Sequence, residues 1–146
     1  MRILVCGLSG SGKTTLCKSL VEQDTLSLTH INADVIRAKY ENWDFSPAGR
    51  ERQANRMVSE SEGEGIYLLD FICPTQELRN TLGADVVIWM DTVRRSKYPD
   101  TDRLFEEPKN PDLIINCFWE DPVKKAHKLI DAVRRRTWTK IKKKGI

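Results

Sequence analysis

A glycine-rich stretch near the start of the chain restricts the fold more than any other feature. The sequence GLSGSGKT, residues 7–14, follows an apolar run at 3–6 and precedes apolar residues at helical spacing. It matches the pattern G-x-x-x-x-G-K-[ST], in which the glycines let the backbone approach phosphate oxygens. The stretch therefore predicts a strand, a phosphate-binding loop and a helix in succession. The residues expected to bind a nucleoside triphosphate are Gly7, Ser9, Gly10, Ser11, Gly12, Lys13, Thr14 and Thr15.

Two side chains of this loop have an expected chemical role. Lys13 is predicted to be catalytic, because the lysine of this pattern reaches the β- and γ-phosphates. The Thr14 hydroxyl is predicted to bind Mg²⁺, because it is the hydroxyl that follows the lysine in the same pattern. The loop alone thus specifies a triphosphate and a magnesium ion, but not the fate of the phosphate.

Apolar runs and helical patterns alternate along the rest of the chain. Strands are predicted at residues 3–6, 28–31, 66–72, 85–90 and 113–115, and helices from 13, over about 47–63, at 74–82 and from 122. Such alternation is typical of a parallel sheet with helices on both faces. We predict an α/β fold, a P-loop NTPase three-layer sandwich with a five-stranded parallel sheet. The polar, proline-containing segment 92–111 is predicted to be a long loop.

The composition excludes disordered and membrane-spanning classes. Hydrophobic residues make up 40% of the chain and charged residues 31%, and no apolar run approaches the roughly 20 residues of a membrane span. Met1 leads directly into the first strand, so we expect no signal peptide, no membrane partner and a cytoplasmic location. The four scattered cysteines are expected to be reduced and buried, and the two histidines to be structural.

Charged residues outside the loop favour phosphoryl transfer over hydrolysis. The chain has no N-K-x-D motif of the kind found in switch GTPases. Asp34 follows the second strand and Asp70 interrupts the third, where acids can hold Mg²⁺ or accept a proton. We predict that Asp70 shares the metal site of Thr14, a purely structural acid being the alternative. Arg94 and Arg95 are the candidate catalytic arginines that neutralise the migrating phosphoryl group.

Further motifs, in the same order along the chain, resemble those of the adenylylsulfate kinase family of P-loop kinases. NADVIR at 32–37 is similar to the family's D-G-D-x-x-R, and FSPAGR at 45–50 with Arg56 to its F-S-x-x-D-R-x-x-N-x-x-R. FICP at 71–74 resembles F-I-S-P, and EPKNPD at 107–112 resembles E-x-P-x-N-P-[ED]. The resemblance implies a nucleotide-kinase-like fold. It also implies ATP as donor with Mg²⁺, and a small nucleotide-like acceptor, adenylylsulfate, phosphorylated on its 3′-hydroxyl.

The resemblance also implies roles for individual residues. Asp34 would contact the acceptor hydroxyl as a base or an orienting group, which makes it a catalytic candidate. Arg37 and Arg50 would bind the anionic part of the acceptor, and Phe45 would stack on its base. The remaining residues expected to bind the acceptor are Gln53, Phe71, Ile72 and Cys73.

The chain departs from the family pattern at several positions. Asn32 replaces an aspartate, Gly49 an acid, Gln53 an asparagine and Cys73 a serine. The family's K-x-F-T-G-I-D segment is missing between residues 91 and 100, so we predict a shortened lid. Two alternatives follow. One is a kinase for another hydroxyl, on a nucleoside, a nucleotide or a hydroxymethyl-pyrimidine in DNA. The other is a P-loop protein that binds ATP without transferring phosphate.

The charge of the chain is unevenly distributed. The formal net charge is +3, yet residues 134–146 contain seven lysines or arginines and no acidic residue. We therefore divide the chain into a P-loop kinase domain, 1–133, and a basic C-terminal tail, 134–146. A solvated tail is the favoured interpretation. Contact with nucleic acid through the tail is the less favoured one, because no fold signature for nucleic-acid binding accompanies it.

Overall fold

A single five-stranded sheet organises the molecule. The computed structural model describes residues 1–23 and 25–144, with side chains described up to residue 136. All strand pairings are parallel, in the order β2-β3-β1-β4-β5. This arrangement confirms the predicted α/β sandwich. The strands are β1 (Arg2–Cys6), β2 (Leu28–Asn32), β3 (Ile66–Asp70), β4 (Val86–Met90) and β5 (Leu113–Ile115).

Helices cover both faces of the sheet. The alternation of side chains along β1 explains why, since Ile3 and Val5 join one buried cluster while Leu4 and Cys6 join another. Side chains of helices α1 (Lys13–Glu22) and α6 (Pro122–Lys144) pack on the strand residues of the first cluster. Side chains of α2 (Ala33–Lys39), α3 (Pro47–Glu60) and α4 (Gln76–Leu82) pack on those of the second. The result is the three-layer sandwich that the sequence predicts.

The sheet order brings the ends of three strands together at one edge. In the register of the central pairs, Val5 lies opposite Asp70, and Asp70 lies opposite Asn32. The chain therefore leaves β1 into the glycine loop at the same edge where β2 and β3 deliver polar side chains. Ligands of open parallel sheets bind at this carboxyl edge.

Several predicted boundaries are wrong, for identifiable reasons. The stretch after β2 forms the short helix α2, because the Asn32 side chain accepts hydrogen bonds from the backbone N–H groups of Asp34 and Val35. The predicted loop 92–111 contains helix α5 (Pro99–Leu104), which begins at a proline. Strand β3 ends at Asp70, two residues before its predicted end.

The basic C-terminal segment is continuous with the last helix. Helix α6 passes through the predicted boundary at 133/134 and reaches Lys144. Arg134 and Arg135 form ion pairs with Asp131 of the preceding helical turn. The side chains from 137 onward and residues 145–146 lie outside the described residues, so the solvated tail stays a prediction and contact with nucleic acid its less favoured alternative.

All four cysteines are free thiols, three of them buried and Cys117 partly exposed.

Within residues 1–23 and 25–144, no helix is long and apolar enough to cross a membrane.

Candidate active site

A cavity of about 960 Å³ opens at the carboxyl edge of the sheet. One side of it is formed by the glycine loop and the start of α1, and the other by α2 and the segment between α2 and α3. The first side carries the residues predicted to bind the donor nucleotide, and the second those predicted to bind the acceptor. Both groups of residues therefore face one shared space, as transfer between two bound molecules requires.

The glycine loop has the backbone of a phosphate cradle. Gly7 and Gly12 adopt φ angles of 147° and 97°, a region that disfavours residues with a Cβ. A Cβ on Gly7 would lie 2.6 Å from the carbonyl oxygen of Met90. Helix α1 begins directly after Gly12, so its first N–H groups point toward the loop and favour an anion there. These features fit the triphosphate of ATP.

The predicted donor residues divide into lining and supporting positions. Those that line the cavity are Ser9, Gly10, Gly12, Lys13, Thr14 and Thr15. Gly7 and Ser11 belong to the same loop but do not line the cavity. The buried Ser11 Oγ has no hydrogen-bond partner among the described residues. The Ser11 carbonyl accepts a hydrogen bond of 2.7 Å from the Thr92 hydroxyl, which ties the loop to the segment after β4.

Lys13 is nearly buried at the base of the loop. Its ammonium group donates a 2.9 Å hydrogen bond to the carbonyl oxygen of Leu8. Burial lowers the pKa of Lys13, while the charges of Asp70 and Asp34 counteract that effect. Lys13, Asp34 and Asp70 all line the same cavity. From this position Lys13 can reach phosphate groups bound in the loop.

Thr14 and Asp70 form a pair that fits a magnesium ion. The Thr14 hydroxyl donates a 2.7 Å hydrogen bond to Asp70 Oδ2. Burial opposes ionisation of this carboxyl, but hydrogen bonds from His30, Thr14 and Asn32 outweigh it and hold the pKa of Asp70 below its ordinary value. The site thus offers an ionised carboxylate beside a hydroxyl, both hard oxygen ligands of the kind that Mg²⁺ prefers.

Two arginines and a phenylalanine form the opposite wall. The guanidinium carbon of Arg37 lies 4.3 Å from the centroid of the Phe45 ring, and that of Arg50 lies 5.6 Å from it. Arg50 Nε also donates to the Phe45 carbonyl oxygen at 2.9 Å. Burial, followed by repulsion from Arg50, lowers the pKa of Arg37. Two guanidinium groups beside one half-exposed ring suit a ligand that is anionic and carries a flat base.

The other predicted acceptor residues are only partly in the cavity. Asp34 lies exposed in the first turn of α2 and lines the cavity, as do Phe71 and Ile72. Cys73 is buried behind Pro74, and its carbonyl oxygen accepts a hydrogen bond from Arg79 Nε at 3.1 Å. Gln53 is buried below α2 and donates a 2.9 Å hydrogen bond to the Ala33 carbonyl. Neither Cys73 nor Gln53 lines the cavity, so direct contact with an acceptor is not supported for them.

The candidate catalytic arginines also lie outside the cavity. Arg94 is exposed and pairs with Asp91 at 3.1 Å, and Arg95 is likewise exposed. Instead, the cavity is lined by residues of the segment that the sequence predicts to be a loop, namely Lys97, Tyr98, Pro99, Asp100 and Thr101. Pro99 could have indicated the helix in this segment, because proline is favoured at the first position of a helix.

Comparison with known families identifies the chain. Residues 3–126 match the family model AAA_33, described as an AAA domain. The chain belongs to this AAA domain family. A search of curated protein sequences gave no match.

Solved structures similar to this AAA domain share its fold at low sequence identity. The structure of APE1195 is 20% identical, with a TM-score of 0.74, over 91% of this chain and 95% of that one. The Mycobacterium tuberculosis APS kinase CysC in complex with AMPPNP and APS is 21% identical, with a TM-score of 0.69, over 91% and 96%. A gluconokinase from Sinorhizobium meliloti is 13% identical, with a TM-score of 0.70, over 95% and 96%. The fold is thus that of P-loop kinases with different substrates.

Proposed function

We propose that the protein is an ATP-dependent kinase that transfers the γ-phosphoryl group to a hydroxyl of a small nucleotide-like acceptor, with adenylylsulfate as the first candidate. One observation carries the proposal. A single cavity is lined by the glycine loop and Asp70 on one side, and by Asp34, Arg37, Phe45 and Arg50 on the other. A protein that only hydrolysed ATP would have no need of this second wall.

The donor side holds the triphosphate and its ion. ATP would supply the phosphoryl group, and Mg²⁺ would neutralise charge on its phosphate oxygens. The loop backbone and Lys13 would bind the phosphates, and Thr14 with Asp70 would hold the cation. The loop follows β1 and Asp70 ends β3, and these two strands pair in the sheet, so the site requires little rearrangement on binding.

The acceptor side orients the attacking hydroxyl. Asp34 accepts a hydrogen bond from that hydroxyl and takes up its proton as the hydroxyl oxygen bonds to the γ-phosphorus and the bond from that phosphorus to the bridging oxygen of ADP breaks. Arg37 and Arg50 bind the anionic group of the acceptor, while Phe45 stacks on its base. Arg94 and Arg95 can neutralise the migrating group only if the segment after β4 folds inward over the cavity.

A second candidate function has a specific observation in its favour. Trp43, Phe45 and Tyr98 all line the cavity with about half of their surface exposed, at 54%, 51% and 48%. Aromatic rings around a cleft with a shortened lid also suit a larger acceptor, because bases stack on such rings with little sequence preference. A kinase for a nucleoside, a nucleotide or a hydroxymethyl-pyrimidine in DNA is therefore the alternative.

The proposal is tested by following the γ-phosphate of labelled ATP in the presence of Mg²⁺. With adenylylsulfate, the expected product carries the label on its 3′-hydroxyl. Transfer to a nucleoside or to hydroxymethylated DNA, with none to adenylylsulfate, would support the alternative acceptor. Label released only as inorganic phosphate, at a rate that no acceptor changes, would instead support a P-loop protein that does not transfer phosphate.

A variant at Asp34 separates these outcomes further. Asp34→Asn keeps the size of the side chain but cannot accept the proton, so it should reduce transfer strongly while ATP binding persists. Phosphate release that no acceptor changes, and that is also unchanged in Asp34→Asn, would contradict both kinase assignments. Lys13→Ala should abolish every one of these activities and therefore serves only as a negative control.

A further inference from the structure

One oxygen of Asp70 carries an unusual number of hydrogen bonds. Oδ2 accepts from the Thr14 hydroxyl at 2.7 Å, from His30 Nε2 at 2.9 Å and from Asn32 Nδ2 at 2.9 Å. Oδ1 accepts none from any side chain among the described residues. Because three donors converge on the same atom, the carboxylate plane cannot rotate freely, and its second oxygen stays unpaired beside the cavity that Asp70 lines.

The two donors from β2 are placed by strand geometry. His30 and Asn32 are two residues apart, so their side chains emerge on the same face of the strand. Strand β2 pairs with β3 in a register that sets Asn32 opposite Asp70. The histidine is 17% exposed and the aspartate 2%, so both hydrogen bonds are largely shielded from water. Since an ionised carboxylate only accepts, His30 must donate its Nε2 proton.

Asn32 uses both halves of its side-chain amide. Its oxygen accepts the N–H groups of Asp34 and Val35 at 2.9 and 3.1 Å, which starts helix α2. Its nitrogen donates to Asp70. An aspartate at this position could still cap the helix, but it could not donate, and it would set a second carboxylate beside the first. The asparagine thus links the acid on the acceptor side, Asp34, to the acid on the donor side.

From this geometry we propose that His30 and Asn32 are positioning residues for the magnesium site. They hold Asp70 so that Oδ1 is presented to the cation, while Oδ2 stays saturated. The Thr14 hydroxyl can donate to Oδ2 and still offer a lone pair to the same ion. The inference rests on the proposed donor site, but it does not depend on which acceptor is phosphorylated or on transfer taking place.

The test measures how strongly Mg²⁺ binding is coupled to nucleotide binding. The affinity for fluorescent methylanthraniloyl-ADP is titrated in excess Mg²⁺ and again in EDTA, and the ratio of the two gives the coupling. Removing an orienting partner of a metal ligand typically weakens metal binding about 10- to 100-fold. For His30→Ala and Asn32→Ser, neither of which adds a charge at the site, we therefore expect the ratio to fall at least about tenfold, with the affinity in EDTA unchanged.

Two controls make the result specific. His127→Ala removes the chain's other histidine, which forms a hydrogen bond with Thr25, and should leave the ratio unchanged. His30→Gln retains an N–H donor and should recover part of the coupling that His30→Ala loses. Where His30→Ala fails to fold, Asn32→Ser carries the test, because serine still caps the helix while its shorter side chain leaves the hydrogen bond to Asp70 unmade.

Two results with the variants would overturn the inference. One is an unchanged ratio in folded His30→Ala and Asn32→Ser proteins. The other is an equal loss of affinity with and without Mg²⁺, which would indicate a distorted glycine loop rather than a displaced metal ligand. Wild-type protein that couples Mg²⁺ to ADP but transfers no phosphate would refute the proposed kinase activity and leave the inference intact. Wild-type protein without any coupling would refute the inference.

Discussion

At the scale of single residues, Phe45 is the exposed aromatic residue of the candidate acceptor site. It is 51% exposed, and the guanidinium carbons of Arg37 and Arg50 lie 4.3 and 5.6 Å from its ring centroid. Because these contacts already hold the ring while half of the residue stays accessible, a base can stack on it at little entropic cost. The residue is therefore expected to contribute to acceptor affinity and little to the fold.

Replacing Phe45 tests that expectation. In Phe45→Ala, the KM for adenylylsulfate should rise about tenfold, since base–aromatic stacking is worth roughly 1–3 kcal/mol. The KM for ATP should not change. Tyr40→Ala is the matched control, because Arg56 lies 4.5 Å from the Tyr40 ring in a similar arrangement outside the cavity. Steady-state kinetics with both substrates measures the difference, and equal effects of the two substitutions would contradict the stacking role.

The structure places Gln53 outside the cavity, although the sequence suggests that it binds the acceptor. Its amide nitrogen supports the Ala33 carbonyl from below, and its Oε1 is buried without a partner among the described residues. The side chain positions α2 rather than touching a ligand. We expect Gln53→Asn, whose shorter side chain cannot span the same gap, to lower the free energy of unfolding by about 1–2 kcal/mol.

The kinetics of Gln53→Asn distinguish a residue that supports α2 from one that contacts the acceptor. If Gln53 only supports α2, the KM for the acceptor in Gln53→Asn should stay within about twofold of wild type at a temperature where the variant is folded. Chemical denaturation and steady-state kinetics on the same preparation provide both numbers. A large rise in KM with no loss of stability would restore the residue to the acceptor site.

At the scale of elements, packing at the first turn of α3 explains why the chain has Gly49 where the adenylylsulfate kinase pattern has an acid. Gly49 donates to the N-cap oxygen of Ser46, and a Cβ there would lie 2.2 Å from the backbone oxygen of Asp44. The close approach of the preceding segment, which carries Trp43 and Phe45, excludes any side chain at 49. Glycine is thus required by packing, even though it is a poor helix former.

Gly49→Ala should therefore destabilise the protein, although alanine favours a helix. We expect a loss of about 1–3 kcal/mol from the forced displacement of the segment. The neighbouring exposed position gives the opposite exchange as a control, since Ala48→Gly should cost only about 0.5–1 kcal/mol through helix propensity. Thermal unfolding of both variants measures the effect. A stabilised Gly49→Ala protein would contradict the packing explanation.

The elements that the sequence did not predict share a physical cause. Helix α2 starts because a single asparagine caps it, and α5 is a short helix of six residues among charged loop residues. Neither has the apolar periodicity that reveals longer helices such as α1 and α6, so pattern analysis could not find them. The buried strands, in contrast, were predicted closely, because continuous apolar runs bounded by glycine or acid are typical of parallel sheets.

At the scale of the whole molecule, the glycine loop and the order of strands determine most of the site. The sequence predicts that Thr14 and Asp70 share a metal site and that Asp34 follows the second strand, and in the structure all three line one cavity with Lys13. It could not predict that His30 would bond Asp70, since the register of β2 against β3 is a tertiary feature. It also placed Arg94 and Arg95 at the cavity, where the structure instead has Lys97 and Tyr98.

Nucleotide binding should stabilise the entire domain. At a concentration about 100-fold above its dissociation constant, a ligand adds about 2.7 kcal/mol, which corresponds to roughly 5–10 °C in Tm for a chain of this size. We expect this rise with a non-hydrolysable ATP analogue and Mg²⁺. Lys13→Ala should abolish it, because the variant loses the ammonium group beside the phosphates. An equal shift in wild type and variant, measured by scanning calorimetry, would argue against binding in the glycine loop.

The central claim is that phosphate leaves ATP for an organic hydroxyl. A mass-spectrometric screen tests it most directly, with ATP and Mg²⁺ incubated against adenylylsulfate, nucleosides, nucleotides and hydroxymethylated DNA. The account predicts one acceptor that gains a phosphate, in an amount equal to the ADP formed, and loss of that product in Asp34→Asn. ADP accompanied only by inorganic phosphate with every acceptor, and unchanged in Asp34→Asn, would contradict it.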